Sequence, residues 1–350
     1  YDPTIPGYGP GYFCGSETSI GYGTIISRRE GFNSFASAGL TLSDSAELFL
    51  DAQFGISKVS LMPDVLNWGF QNAAGSSDAT FFNSFDGVLD DWYRQFAPEE
   101  SGGFSNVMTR NRQTTFSITP GIKGSLDDKW TYEVSFNHSE YKAKVKFPQI
   151  IAARANELFL GEQLGIDEDS GYPIFDADPE RLYTPLTQAE YDSIAVYSVY
   201  NPKSWTDNLS ATVSSTELFS LPAGPVGFAA IAEFGKQGYD LNPDPLALTD
   251  YYYGLKDSDG HGKRTHWALG GELRAPVTDF LQVSAAGRYD HFRFAGSGVG
   301  KFTYNGGVEL RPVSTLLVRA AYGTGFRAPD LHYVFTGPGN THPSATDYYL

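Results

Sequence analysis

In the stretch that begins at Thr315, Leu316, Val318, Ala320, Tyr322, Thr324 and Phe326 fall on one side, while Arg319, Ala321, Gly323, Gly325 and Arg327 fall on the other. An extended strand produces this division because its side chains point alternately to opposite faces. One side is greasy, and the other is polar or empty. The same alternation recurs in "DFLQVSAAGRYD", where Leu281, Val283, Ala285 and Tyr289 oppose Gln282, Ser284, Arg288 and Asp290, and in "KFTYNGGVEL", where Phe302, Tyr304, Val308 and Leu310 oppose Lys301, Thr303, Asn305 and Glu309. In "WTDNLSATVSST", Trp205, Leu209, Ala211 and Val213 oppose Thr206, Asn208, Ser210, Thr212 and Ser214. "WTYEVSFN" and "ELFLDAQFGIS" follow the same rule.

The connections add a second regularity. The pattern predicts roughly ten strands of about 9 to 15 residues, joined at every second connection by the short turns "LSDSA" (42–46), "LDDKW" (126–130), "PAGPV" (222–226), "VTDF" (277–280) and "RPVST" (311–315). The other connections are often long, at roughly 50, 55 and 20 residues, against a usual median of about 4–6. Short turns on one rim and long loops on the other are the layout of an antiparallel transmembrane β-barrel. A soluble β-sandwich also alternates, but it does not account for loops of such unequal length. Its strands are usually shorter, and it has no use for aromatic residues such as Trp130, Tyr132, Trp205 and Phe280 just inside the short turns, where a membrane girdle would lie.

Composition narrows the function. A net charge of -16 lacks the basic footprint of a nucleic-acid binder, and no apolar run is long enough for a transmembrane helix. The first residues, "YDPTIPGYGPGYFCGSET", have neither the basic nor the apolar segment of a signal peptide. Cys14 is the sole cysteine. It is either a free thiol or half of a loop disulfide whose partner lies before Tyr1.

Several motifs imitate catalysis or metal binding. "AGSGVGKF" (295–302) approaches a phosphate-binding loop, but Phe302 follows the lysine and a strand follows in place of a helix, so it reads as a hairpin loop. "DEDSGYPIFDAD" (167–178) lacks the glycine and glutamate spacing of a calcium loop. The histidines have no zinc spacing, with His138 and His266 better placed in a lumen or at a rim. The pairs Asp90–Asp91 and Asp127–Asp128 fall in loops or turns, where carboxylates are solvated. The expectation is a non-enzyme with no catalytic residues, resident metal or cofactor.

"RAAYGTGFRAPDLHYVF", with its core at Tyr322 to Leu331, closely resembles the barrel signature of TonB-dependent outer-membrane receptors, and "LFSLPAGPVGFAAIAEFGKQGYDLNPD" (218–244) resembles a matching hairpin. The resemblance runs from about Glu30 to the end of the chain and covers only the barrel. It implies that residues 1–350 are part of a 22-stranded barrel, without the N-terminal plug and the remaining strands, with both ends lying in outer loops. It also implies short periplasmic turns, long extracellular loops and residence in the outer membrane of a Gram-negative bacterium. The implied activity is active uptake of a scarce or bulky ligand, with the TonB–ExbB–ExbD complex, the protein's own plug and outer-membrane lipid as partners. The alternative is a passive porin-like or enzymatic barrel.

Under this resemblance Arg319, Gly323, Gly325 and Arg327 face the plug, the glycines leaving room for a closely packed neighbour. Arg327 either holds a plug carboxylate or anionic ligand, or pairs with a lumen acid such as Glu309. Trp68, Trp92, Tyr251, Tyr252 and Tyr253 are candidate stacking surfaces for a sugar or an aromatic siderophore, or else belong to a girdle or loop core. Acidic loops repel an anionic ferric siderophore, which favours a small neutral ligand or oligosaccharide.

Overall fold

The computed structural model describes residues 23–62, 65–72 and 78–338; Cys14 lies outside them. β1 (Arg28–Ser43) and β2 (Ala46–Leu61) form the first hairpin, and the connection after it carries the short strands β3 (Asn67–Gly69), β4 (Phe81–Asn83), β5 (Val88–Asp90) and β6 (Tyr93–Gln95). The second hairpin is β7 (Thr109–Ser125) and β8 (Trp130–Ile150), followed by α1 (Ala152–Leu160), β9 (Gly165–Ile166), β10 (Pro173–Phe175), α2 (Glu180–Tyr183), α3 (Gln188–Ile194) and β11 (Ala195–Tyr200). Then come β12 (Lys203–Leu221), β13 (Gly224–Asp240), β14 (His261–Thr278), β15 (Leu281–Phe294), β16 (Ser297–Val313), β17 (Leu316–Gly323) and the short helix α4 (Leu331–Phe335).

Ten long strands lie side by side in the order β1-β2-β7-β8-β12-β13-β14-β15-β16-β17, so each long strand pairs with the next long strand along the chain. Every pairing between them is antiparallel. β11 pairs with β8 in the same register line as β12, from which only Asn201 and Pro202 separate it. β1 and β17 remain the two edges of an open sheet among the described residues.

All five predicted short turns form, and all lie on one rim. Asp127 shapes one of them, its carboxylate accepting from the amides of Lys129 and Trp130 at 2.8 Å. The register shifts at Thr41/Ser43, Ser215/Phe219, Pro276/Thr278 and Leu310/Val313 cluster toward that rim, where a bulge ends regular pairing. On the opposite rim three connections span 62–108, 151–202 and 241–260, and a fourth, between β15 and β16, is a tight hairpin at Ala295 and Gly296, both at positive φ (48° and 77°).

The alternation separates two chemical faces. Leu48, Leu50, Phe54, Phe116, Val134, Phe136, Leu209, Phe234, Leu269, Phe302 and Val308 share one face and are exposed, a surface that water would not tolerate at this extent and that lipid covers. On β12 this band runs from Leu209 to Phe219, the span a tilted membrane strand needs, about 9–11 residues. The opposite face carries a hydroxyl and amide network, in which Asn137 donates to Ser117 (3.1 Å) and Thr119 (2.8 Å), Ser135 meets Ser210 (3.1 Å) and Thr131 meets Ser214 (2.8 Å). Among the described residues no helix is long and apolar enough to cross a membrane.

Two expectations need correction. Trp205 sits opposite Glu140 and Gly238 near the long-loop end of β12, not inside a short turn. β17 ends at Gly323, so beyond Thr324, which keeps a hydrogen bond to Tyr304, the residues Gly325, Phe326 and Arg327 leave the sheet instead of extending its alternation.

Placing arginine at Ala211, in the middle of the lipid-facing band, is expected to cost about 2–4 kcal/mol, whereas a lysine at the neighbouring Thr212, which faces inward, costs less than about 1 kcal/mol. Refolding midpoints of the full-length protein in bilayers measure the difference, and equal costs would refute the assignment of faces.

Candidate functional site

The inward face carries two compensated charge groups on β13 to β17. Arg288 on β15 reaches across β14 to Glu233 on β13, with its own strand neighbour Asp290 at 2.9 Å completing the group. Gly270, directly opposite Arg288, makes this crossing possible: a Cβ there would already meet Ile231 at 3.2 Å and Arg288 at 3.5 Å. The group borders an open hollow of about 400 Å³ whose lining includes Thr212, Ser214, Ile231, Glu272, Arg288 and Asn305. Nearer the short turns, Glu309 lies between Arg319 at 3.3 Å and Arg274 at 3.8 Å.

At the other end the chain doubles back over this face. Thr324 still binds the sheet, its amide donating to the Tyr304 carbonyl at 2.9 Å, but Pro329 has no amide with which to continue a ladder. The segment instead crosses to β14. Phe326 packs near Phe292 (6.2 Å between ring centres), and Arg264 donates to the Pro329 carbonyl at 2.6 Å and to Gln237 at 3.0 Å while lying 4.8 Å from the Phe292 ring centre. Phe335 fills the space over Gly262, where an added Cβ would come within 2.2 Å of its ring. His332 meets Tyr239 edge to face at 6.1 Å, and Gly260 bridges to Thr336. The strap 324–337 therefore lines the long-loop end of the inward face. Beside it, the buried Nε of Arg264, Nδ1 of His266 and hydroxyl of Tyr239 have no hydrogen-bond partner among the described residues. Buried polar atoms of this kind are rare outside sites that meet something else.

The first two long connections fold together over a core of their own. Trp68, with no exposed surface, stacks on Phe159 at 4.5 Å and donates its indole N–H to Asn156 at 2.9 Å. Trp92, 6 % exposed, packs edge to face on Phe81 at 5.5 Å. Buried Asn83 ties the two connections by exchanging hydrogen bonds with Ala177, each at 3.0 Å. Arg94 lies over Phe96 and Phe159 and pairs with Glu100, whose carboxylate also accepts from the Leu186 amide at 2.7 Å. In α3, Thr187 and Glu190 close a capping box, and the Thr187 amide and hydroxyl, helped by Arg181, hold the Glu190 carboxyl down at about 2.

The third connection docks on this unit through Asp244, which accepts from the Tyr252 hydroxyl at 2.8 Å, from Ser198 at 3.0 Å and from the amides of Leu246 (3.0 Å) and Val199 (3.3 Å). Burial pushes the Asp244 carboxyl up, but these donors outweigh it and leave it below its ordinary value.

The sequence candidates thus scatter. Trp68 and Trp92 are core residues of the loop unit, with no free ring face to offer. Tyr252 is buried; Tyr251 packs edge to face on it at 5.1 Å, and Tyr253 packs on the loop core, its amide donating to Ile150 at 2.9 Å. Arg319 holds Glu309, so the suggested Arg327–Glu309 pair does not form; Arg327 is exposed at the start of the strap. Gly323 faces inward against Asn305 (3.1 Å from an added Cβ), while Gly325 has open space around it. Sequence reasoning missed Arg264, Tyr239 and Phe292, for which the available signal was their shared inward parity on adjacent strands. Among the described residues no three His, Cys, Asp or Glu side chains converge as metal ligands would.

Charge follows the same architecture. The three long connections hold 21 acidic and 4 basic residues, a net of -17, which leaves 20 acidic and 21 basic residues in the rest of the chain.

The family model described as TonB dependent receptor-like, beta-barrel, matches residues 33–349. Among solved structures, the closed form of the ferric-catecholate import receptor Fiu from E. coli K12 is similar at a TM-score of 0.48 and 11% identity, over 85% of this chain and 44% of that one. The translocator domain of the autotransporter NalP from Neisseria meningitidis gives a TM-score of 0.29 and 9% identity, over 85% and 76%. The chain therefore spans less than half of the Fiu chain. No curated protein matches.

Two outcomes follow from this geometry. Arg264→Met removes the hydrogen bond to the strap at the Pro329 carbonyl and the one to Gln237 that steadies the guanidinium, and amide hydrogen exchange across 324–337 is expected to quicken about tenfold; unchanged exchange would mean that Arg264 does not hold it. Because the Asp244 carboxyl is depressed, its contribution is complete above the usual carboxylate range and is lost as pH falls through its lowered value. Protection of the Val199 and Leu246 amides should fall on acidification in the native protein, and in Asp244→Asn it should be low and flat with pH.

Proposed function

The chain belongs to the TonB-dependent receptor β-barrel family, and on that premise we propose that it forms part of the wall of an outer-membrane receptor that takes up a ligand too large or too scarce for passive pores. The observation that carries this reading is the two-faced sheet: an exposed apolar face suited to lipid, and an opposite polar face on which Arg274, Arg288 and Arg319 are matched by carboxylates. A wall of this kind performs no bond chemistry. It supplies a rigid frame, a polar surface against which a plug packs, and loops that meet the ligand first. The hollow beside Arg288 and the inward residues Arg319 and Gly323 form the plug-facing surface, and the plug is moved by energy relayed through the TonB–ExbB–ExbD complex.

The ligand meets the receptor between the loop unit and the strap, where Arg264, His266 and Tyr239 present polar atoms beside the Phe292 ring. Exposed Arg327 stands at the start of the strap, and Tyr251 is the half-buried tyrosine that packs edge to face on buried Tyr252. Connections with a net charge of -17 repel an anionic ferric siderophore on approach. A neutral ligand of the carbohydrate class escapes this penalty.

The test uses the full-length protein in living cells, with a panel of neutral oligosaccharides and ferric siderophores. Uptake of a neutral member that stops when TonB is deleted or the proton gradient is collapsed is the expected result. Uptake indifferent to both would favour a passive pore, and selective binding of ferric siderophores would overturn the ligand class.

A further inference from the structure

The small sheet built by the first two long connections buries only one of its faces. Its strands run in the order β5-β4-β10-β9. Because side chains alternate, Phe81, Asn83 and Phe175 turn into the loop core, while Phe82 and Ile174 turn away from it and are only half-buried. Leu89 stands opposite Phe82, and Phe82 opposite Ile174, so three apolar side chains form one row across β5, β4 and β10. Phe85 in the adjoining turn, Val88 and Leu89 on β5, and Leu164 and Ile166 at β9 are all between 47 and 62 % exposed. Single apolar residues on a surface are ordinary, but several gathered on one small sheet mark an interaction surface.

The strand beside this row is unpaired along its outer side. Among the described residues β5 pairs with β4 alone, and no backbone hydrogen bond leaves its other edge. Such an edge is a template for the addition of another strand. Proteins commonly blunt an edge of this kind with lysine or proline, and β5 has neither.

Charge identifies the occupant. Residues 78–91 and 161–180, which contain the whole sheet, hold 4 and 7 acidic residues and no basic one. The cations that follow each segment, Arg94 and Arg181, are taken by Glu100 and Glu190. A second copy of this chain would bring the same acidic border against this one, and an anionic lipid surface would be repelled in the same way. A basic polypeptide is attracted instead, and an extended one meets the open edge with the geometry that pairing requires.

We propose that this sheet docks a basic, extended segment of a partner protein, which adds as a fifth strand beside β5. An apolar residue of the segment extends the row of Leu89, Phe82 and Ile174, and its lysines or arginines meet the acidic border. Main-chain hydrogen bonds to β5 supply adhesion. The apolar row fixes the register, since a slip of one residue turns the apolar side chain away, and the carboxylates select the sign of the partner. This site is separate from ligand uptake, because it is built by the loops alone and uses neither Arg264 nor the strap.

The experiment uses the full-length receptor in detergent with three fluorescent probes: a short peptide of alternating lysine and valine, its counterpart with glutamate for lysine, and the lysine peptide N-methylated on every backbone nitrogen. The lysine peptide is expected to bind, with an affinity that falls about tenfold between about 50 and 300 mM salt. The other two should bind at least about tenfold more weakly. Leu89→Lys, at an exposed position, should weaken the lysine peptide about tenfold. Asp192→Asn on α3 raises the charge by the same unit away from the sheet and should change it less than about twofold. Equal losses in the two variants would mean attraction by net charge alone, and equal binding of the glutamate or the methylated peptide would exclude a basic strand; each overturns the proposal. Native protein that binds no probe would show the sheet covered by the rest of the receptor, and dimers that Leu89→Lys dissolves would give the face to a second copy; both overturn it too. None of these readouts involves TonB or uptake, so the failure of one reading leaves the other standing.

Discussion

Hydrocarbon offers no partner for a backbone amide or carbonyl, and each group left unpaired there costs several kcal/mol. The sheet answers this requirement before any side chain is chosen. Ten long strands pair each with the next along the chain, and the interruptions of register lie toward the short-turn rim, where water can reach a freed group. Once the backbone is satisfied in this way, side chains are free to alternate, and a single sequence serves two solvents: leucine, phenylalanine and valine toward lipid, serine, threonine and asparagine toward the interior.

Charge is distributed under the same requirement. Within the strands, several cations that face inward are matched at short range, Arg288 by Glu233 and Asp290, Arg274 and Arg319 by Glu309, whereas Arg264 at the long-loop end is held by a carbonyl and an amide. The acidic excess lies beyond the membrane in the long connections, where hydration costs nothing and where it colours every ligand's approach.

The strands, the five short turns and the two faces were legible in the sequence because a period of two is a local property that each strand states by itself. The fate of "YGTGFRAPDL" was not. Alternation continues on paper through Phe326, but the pairing partner of β17 ends its register at Asn305 opposite Gly323, and the strap's contacts with Arg264 and Gly262 lie more than 60 residues away in sequence. Trp68 and Trp92 show the same limit. Their positions in long polar loops suggest exposed aromatic surfaces, yet the residues that bury them, Phe159 above all, come from another connection. Trp205 was assigned to the wrong rim because a tryptophan near a strand end does not say which end faces the short turns. Arg264, Tyr239 and Phe292 were hidden for a related reason: each is ordinary in its own strand and becomes a site only across strands.

The hydrogen bond between Trp68 and Asn156 spans 88 residues, and its length along the chain bears on the order in which the protein assembles. Closing so large a ring from an extended chain carries an entropy cost that grows with the logarithm of its length. The β7–β8 hairpin lies wholly inside the ring and brings Arg110 beside Lys146, so once it has zipped, most of the intervening residues no longer count toward the closure. The outer aromatic core is therefore a late-forming structure whose nucleation depends on a hairpin it does not contain. A slowly zipping β7–β8 pair would leave Trp68, Phe81 and Phe159 in water during biogenesis, at the stage when a chaperone would find them.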